Sequence, residues 1–399
     1  MLQAKTEDGS IVTLASLTKA EIASKRHERF FCPACHEQVI VRAGEAVIPH
    51  FAHRERSACV NHEGGEGPVH EKGKLLLYQW LRRQNLSVRL ENYLPDINQR
   101  PDLLITIRNK HIALEFQCAR IPIKRIMARN RGYHQLGMIP IWVLGADHFK
   151  RLHRHGLKVD PFLRRFIHHF PPKMAPVLFF FDPETRIFIT CADLFLTKAT
   201  RALGKFRMQK LDRLAFPDIF HTSLFQPEEL YALWEKEKRH FRLNPNFAFP
   251  LYGQQRAWHE WLYAKHVYKD ALPSIVYLPV SSQYMMMSPP WDWQSRLCLE
   301  LLTPLPLGGT LTLAQCEKLL HDHMANRQTF PSFLSANNPI EEYLHLLEQL
   351  QIVMRRSPRH FVKINPIRFY NHIEEAVQAD RRLMKQLRQL NRAKQKHDW

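Results

Sequence analysis

Apolar and polar positions fall into three regimes along this chain. Behind the turn signal Asp8-Gly9, the stretch SIVTLASL alternates apolar with polar side chains and predicts an opening hairpin. From His70 to Arg83 the run HEKGKLLLYQWLRR sets Leu77, Trp80 and Leu81 at helical spacing, and predicts a helix. Strands are predicted over Ser87–Leu94, Leu103–Ile107, Ile112–Gln117 and Ile139–Leu144, and a helix over 122–136. VLFFFDPETRIFIT (177–190) predicts a hairpin turning at Asp182-Pro183-Glu184-Thr185. After about residue 200, amphipathic helical stretches take over, broken by pieces such as Ser288-Pro289-Pro290, and a last helix is expected over 371–396. The expected organisation is a module over 1–63, an α/β core over 64–195 behind a Gly64–Pro68 hinge, and a mainly helical region over 196–399.

The segment RPDLLITIRNKHIALEFQ (Arg100–Gln117) carries the chemistry. With Asn109-Lys110 as the turn, Leu104 pairs with Glu115 and Asp102 with Gln117. Alternation then puts Leu103, Ile105, Ile107, Ile112, Leu114 and Phe116 on one face, and Asp102, Leu104, Thr106, Ala113, Glu115 and Gln117 on the other. Two carboxylates on adjacent strands suit a hard divalent cation, Mg²⁺ or Mn²⁺, as metal ligands. The same pair also reads as an Asp at a strand start and a Glu paired with an Arg or Lys. His70 and Lys74 stand one helical turn apart, as candidates for the metal or phosphate and for the phosphate respectively, or as a solvated first turn.

Charge changes the picture from fold to partner. The 57 Lys and Arg against 38 Asp and Glu give a net charge of +19, which favours a polyanion such as nucleic acid. Arg129, Arg131 and Tyr133 sit in a basic stretch just after the acidic hairpin and are the candidate DNA-binding residues, with no element that reads sequence. The N-terminus has no apolar signal segment and no window approaches the ~20 apolar residues of a membrane span, so a cytoplasmic protein without membrane insertion is expected. Cys32-Pro-Ala-Cys35 and His50-Phe-Ala-His53 offer two thiolates and two imidazoles to a tetrahedral Zn²⁺, with Cys59 and His62 close enough to exchange for a member of the set.

Asp102 followed by Glu115-x-Gln117 resembles the PD-(D/E)xK nuclease core. More specifically, FFCPACHEQVIVRAGEAVIPHFAH (30–53), EGPVHEKGKLLLYQWL with Glu66, His70 and Lys74, then Glu91, Tyr93, Leu94, RPDLL, IALEFQ, Arg129, Tyr133 and IWVLG are together similar to the CoiA family of competence proteins, over roughly residues 1–200. The resemblance implies a restriction-endonuclease-like fold and a role in natural transformation, on incoming single-stranded DNA with the recombinase. It makes Asp102, Glu115, Gln117, His70 and Lys74 the candidate catalytic set, with Glu66 as a further carboxylate. Gln117 stands where that pattern has its lysine, so either Lys74 or Lys124 substitutes in space, or the protein is a non-catalytic DNA-binding scaffold.

Overall fold

The computed structural model describes residues 1–44, 48–54, 59, 67–170, 174–244, 252–325 and 337–397. The chain opens with the expected hairpin, β1 (Gln3–Lys5) and β2 (Ile11–Thr13), followed by α1 (Lys19–Lys25), β3 (Phe30–Phe31), β4 (Gln38–Arg42) and β5 (His50–His53). These strands form one sheet in the order β2-β1-β3-β4-β5, over a small core of Leu14, Ile22, Phe30, Val39 and Phe51.

Pro68 starts α2 (Pro68–Arg82), where its missing N–H costs nothing. Then come β6 (Ser87–Leu90), β7 (Leu103–Ile107), β8 (Lys110–Gln117), α3 (Ile123–Gln135), β9 (Ile139–Gly145), β10 (Arg151–His153), β11 (Gly156–Lys158), α4 (Pro161–Arg164), β12 (Val177–Asp182), β13 (Ile187–Lys198) and β14 (Arg201–Lys210). All nine strands share one sheet, ordered β10-β11-β14-β13-β12-β9-β8-β7-β6. β8 runs parallel to β9 and β9 to β12, and the first of these crossovers is α3. The break expected at 195–196 therefore falls inside β13, and the sheet continues to Lys210. Composition changes near residue 200 without ending the hydrogen-bonded ladder.

The β7–β8 register differs from expectation by one turn position. Ile107 pairs with Lys110 and Leu103 with Leu114, so Arg108-Asn109 forms the turn, with Arg108 at φ +52°. Every partner moves by two residues, so the faces are unchanged. Leu103, Ile105, Ile112, Leu114 and Phe116 pack with Leu77 and Leu81 of α2, whereas Leu104 and Ala113 meet Tyr133 of α3 across the sheet.

The remaining region holds α5 (Pro227–Leu243), α6 (Gly253–Ala264), α7 (Pro290–Leu297), β15 (Thr310–Thr312), α8 (Leu313–Leu319), α9 (Pro339–Gln349), β16 (Val353–Ser357), β17 (His360–Lys363) and α10 (Ile373–His397). Its core is aromatic, with Trp234, Trp258, Trp293 and Tyr343 buried, and it also takes in Phe195 of β13 and Leu203 of β14. It is mainly helical, as expected, with a small sheet ordered β15-β17-β16. Among the described residues, no helix is long and apolar enough to cross a membrane.

Candidate active site

Three carboxylates stand side by side at one end of the large sheet. The β6–β7 pairing ends at Leu90–Leu103, and one step beyond it the Glu91 N–H donates to the Asp102 carbonyl at 2.9 Å. The β7–β8 pairing ends at Leu103–Leu114, so the next step sets Asp102 against Glu115 rather than against Gln117. Glu91, Asp102 and Glu115 thus occupy neighbouring positions across β6, β7 and β8, and all three are buried. Glu91 takes φ +48°, a costly conformation for a residue with a Cβ.

Each acid is held by specific donors. Asp102 Oδ2 accepts from the Phe116 N–H at 2.8 Å and lies 3.4 Å from His70 Nε2. Lys74, fully buried on α2, binds Glu91 Oε1 and has its Nζ 3.7 Å from Asp102 Oδ1. Glu91 Oε2 accepts from the backbone N–H groups of Leu2 at 2.8 Å and Gln3 at 3.3 Å, so the first strand of the small module is tied to the site. Arg129 Nη2 donates to Glu115 Oε1 at 2.6 Å, Arg129 Nε donates to the same oxygen at 3.1 Å, and Tyr133 Oη binds it as well. Burial pushes the Glu115 carboxyl up to about 7; Arg129 works against the shift and the charge on Asp102 adds to it. Tyr133 is pushed well above the usual phenol value by the same burial.

The expected residues divide into two groups. Asp102, Glu115, His70 and Lys74 come together. Gln117 turns away and its Nε2 donates to the Ala119 carbonyl at 2.7 Å. Arg129 and Tyr133 were expected on a DNA-facing surface, yet Tyr133 is fully buried and both serve Glu115; Arg131 alone of the three is exposed. The physical reason is helical phase: positions 129 and 133 lie one turn apart on the sheet-facing side of α3, and 131 does not. Lys124 is exposed on α3, and Glu66 lies outside the described residues. The sequence marks Glu91 only through the family resemblance. An isolated Glu after SVRL carries no periodic signal, and its role follows from the strand register.

The candidate metal site in the front module differs from the expected set. Cys32, Cys35, His53 and Cys59 bring their ligand atoms within 4.8 Å of one another. Cys35 Sγ lies 3.3 Å from His53 Nε2. His50 stands outside the cluster, with Nδ1 bonded to the Ile48 carbonyl at 2.9 Å and 3.4 Å from Glu71 Oε2. His50 and His53 are on a strand and not a helix, so their side chains leave opposite faces. Cys59 takes the fourth place, and His62 lies outside the described residues. Three thiols and one imidazole suit tetrahedral Zn²⁺. Burial, with Cys59 and Cys32 adding, pushes the Cys35 thiol up to about 12, a shift that a bound dication would reverse.

A parallel-containing α/β sheet with an acid row at its end, preceded by a cysteine-rich module, is the arrangement of a nuclease-like protein. Three family models match: competence protein CoiA N-terminal domain over 14–62, its nuclease-like domain over 66–224, and its C-terminal domain over 230–377. The chain is 27% identical over 361 residues to the competence protein CoiA of Bacillus subtilis (strain 168), covering 89% of this chain and 95% of that one. It belongs to the CoiA family of competence proteins. No solved structure is significantly similar to it.

Proposed function

We propose that this chain is a metal-dependent phosphodiesterase acting on DNA in competence, inside the cell. The observation that carries the reading is Lys74. Gln117 removes the lysine of the nuclease pattern from β8, and α2 brings a buried ammonium to 3.7 Å from Asp102 instead. Glu91, Asp102 and Glu115 gather three carboxyl groups in one buried site, and burial pushes the Glu115 carboxyl up to about 7. A hard cation fits the oxygen donors of Asp102 and Glu115 and would favour their ionised forms. Bound there, Mg²⁺ or Mn²⁺ would supply Lewis acidity and a more acidic water.

The protein's own groups do the rest. Arg129 and Tyr133 both bind Oε1 of Glu115, which fixes the carboxylate. Lys74 orients Glu91 and Asp102 together, and its charge favours an approaching phosphate. His70 Nε2 is placed to donate to Asp102 or to a phosphate oxygen.

Wild-type protein is expected to cleave single-stranded or duplex DNA when Mg²⁺ or Mn²⁺ is added. Glu115→Gln and Lys74→Met should each lose ~10²-fold or more of that rate, as removal of a transition-state donor does, with DNA binding nearly intact. Wild type that cleaves nothing with any divalent metal overturns the reading. The second reading is a DNA-binding scaffold aiding a recombinase on incoming single strands, and the engagement of Glu115 by Arg129 favours it.

A further inference from the structure

A second feature lies beside the acid row. A cleft of about 590 Å³ opens between the metal-binding module and β6, the edge strand of the large sheet. Its walls carry Lys5, His36, Tyr78, Arg89 and Tyr93, and Glu91 also lines it. Glu91 is the sole acid in that lining, and it is already bound to Lys74. Among the described residues, neither Lys5 nor Arg89 forms an ion pair, so the cleft presents net positive charge.

We propose that this cleft holds a single strand of nucleic acid, with phosphates on Lys5, Arg89 and His36 and bases stacked on Tyr78 and Tyr93. The proposal rests on the nuclease reading and names the strand's path into that site. Cations flanking aromatic faces are what a sequence-indifferent single-strand groove requires. In a duplex, base faces are covered by their neighbours, so the tyrosines favour an unpaired strand. Both rings are fixed in advance: Tyr78 packs against the large-sheet core, and Tyr93 Oη donates to Asn98 Oδ1 at 3.0 Å. Ile11, also on the wall, is 57% exposed and offers apolar surface to a base. The opposite wall is the Cys32–His36 turn, closed by the His36 N–H on the Cys32 carbonyl at 3.0 Å with His36 at φ +60°. That turn, which carries the candidate ligands Cys32 and Cys35, gives Pro33 and His36 to the lining, and Glu91 is the member of the acid row that reaches it. Arg89 stands two residues from Glu91, so a strand bound along β6 passes beside one member of the acid row.

The test uses the full chain and a dye-labelled oligodeoxythymidylate, a matching oligouridylate and a duplex, without added divalent metal so that cleavage does not intervene. Wild type should bind the single strands more tightly than the duplex. The two single-strand probes show whether deoxyribose or ribose is preferred. Lys5→Glu with Arg89→Glu, both at solvent-accessible positions, should weaken binding about tenfold or more and lower the slope of log affinity against log salt by about 1–2. Photo-crosslinks from 5-iododeoxyuridine should map to Tyr78 or Tyr93. Unchanged affinity in the double variant, or crosslinks confined to other regions such as α10, overturns the proposal. Cleavage by wild type alongside such a result would sink the cleft and spare the nuclease reading. Binding in the cleft without cleavage under Mg²⁺ or Mn²⁺ would do the reverse.

Discussion

His50 and His53 differ by three positions, and on a strand three steps reverse the direction of a side chain. One histidine therefore joins the thiols, and the other faces Glu71 of α2. It follows that Cys59→Ser and His53→Ala should lose the about one zinc per chain that a tetrahedral site holds, while His50→Ala keeps it. Elemental analysis of protein purified without chelator reads this directly, and zinc lost from His50→Ala but retained in Cys59→Ser would reverse the assignment. The Cys-x-x-Cys pair was legible because a tight turn fixes both its ligands locally. The fourth ligand was legible only as an alternative, Cys59 or His62 in exchange for a member of the set, because local spacing does not encode which of them meets the other three. Arg129 and Tyr133 were legible as important but assigned to the wrong partner. Charge and aromaticity suggested a nucleic-acid surface, and only the position of α3 against β8 shows that both bind a buried carboxylate.

At the scale of elements, the site depends on how closely α2 lies on the sheet. Gly73 sits between His70 and Lys74, and a Cβ there would lie 2.0 Å from Phe116 Cε1. Helix propensity alone predicts that Gly73→Ala stabilises by about 1 kcal/mol. The clash predicts the opposite. Overpacking against a buried ring costs ~1–3 kcal/mol, and the helix that must move carries Lys74. Gly73→Ala should therefore lower the thermal midpoint and reduce any DNA cleavage together; a midpoint equal to or above wild type would show that α2 has room to spare. The faces of β7 and β8 were readable from alternation, because period two survives the shift in turn position. Which acids stand opposite one another was not, because alternation is blind to a two-residue change of partner. That difference replaces Gln117 by Glu115 opposite Asp102, and makes a row of acids out of a pair.

Across the whole molecule, β13 joins cores that the sequence pattern treats as separate. Phe188 and Ala192 belong to the core under α2, while Ile189 and Cys191 face the core on the other side of the sheet. The register with β14 shifts between Ala192 and Phe195, with Asp193 at φ +53°. Beyond this bulge the parity is exchanged: Leu194 and Leu196 continue the second core, and Phe195 enters the aromatic C-terminal core. Strict alternation loses its phase at such a bulge, and the change of composition near residue 200 falls within the β13–β14 ladder. Further ties cross the same seam, as Tyr277 Oη donates to the Thr197 carbonyl at 3.1 Å and Arg164 Nη2 to the Tyr284 carbonyl at 2.9 Å. Calorimetry should therefore show the nuclease-like and C-terminal regions melting in one transition, and two well-separated peaks would contradict this coupling.

The bulged strand also limits how such chains can be recombined. A hybrid joined between residues 224 and 230, in the gap between two family models, looks safe on paper. Yet Phe195 and Leu203 lie before that joint and pack into the core built after it. A graft of one relative's C-terminal half onto another's front would set these side chains against unfamiliar helices. Viable chimaeras must carry the β13–β14 hairpin's outer end with the half it supports.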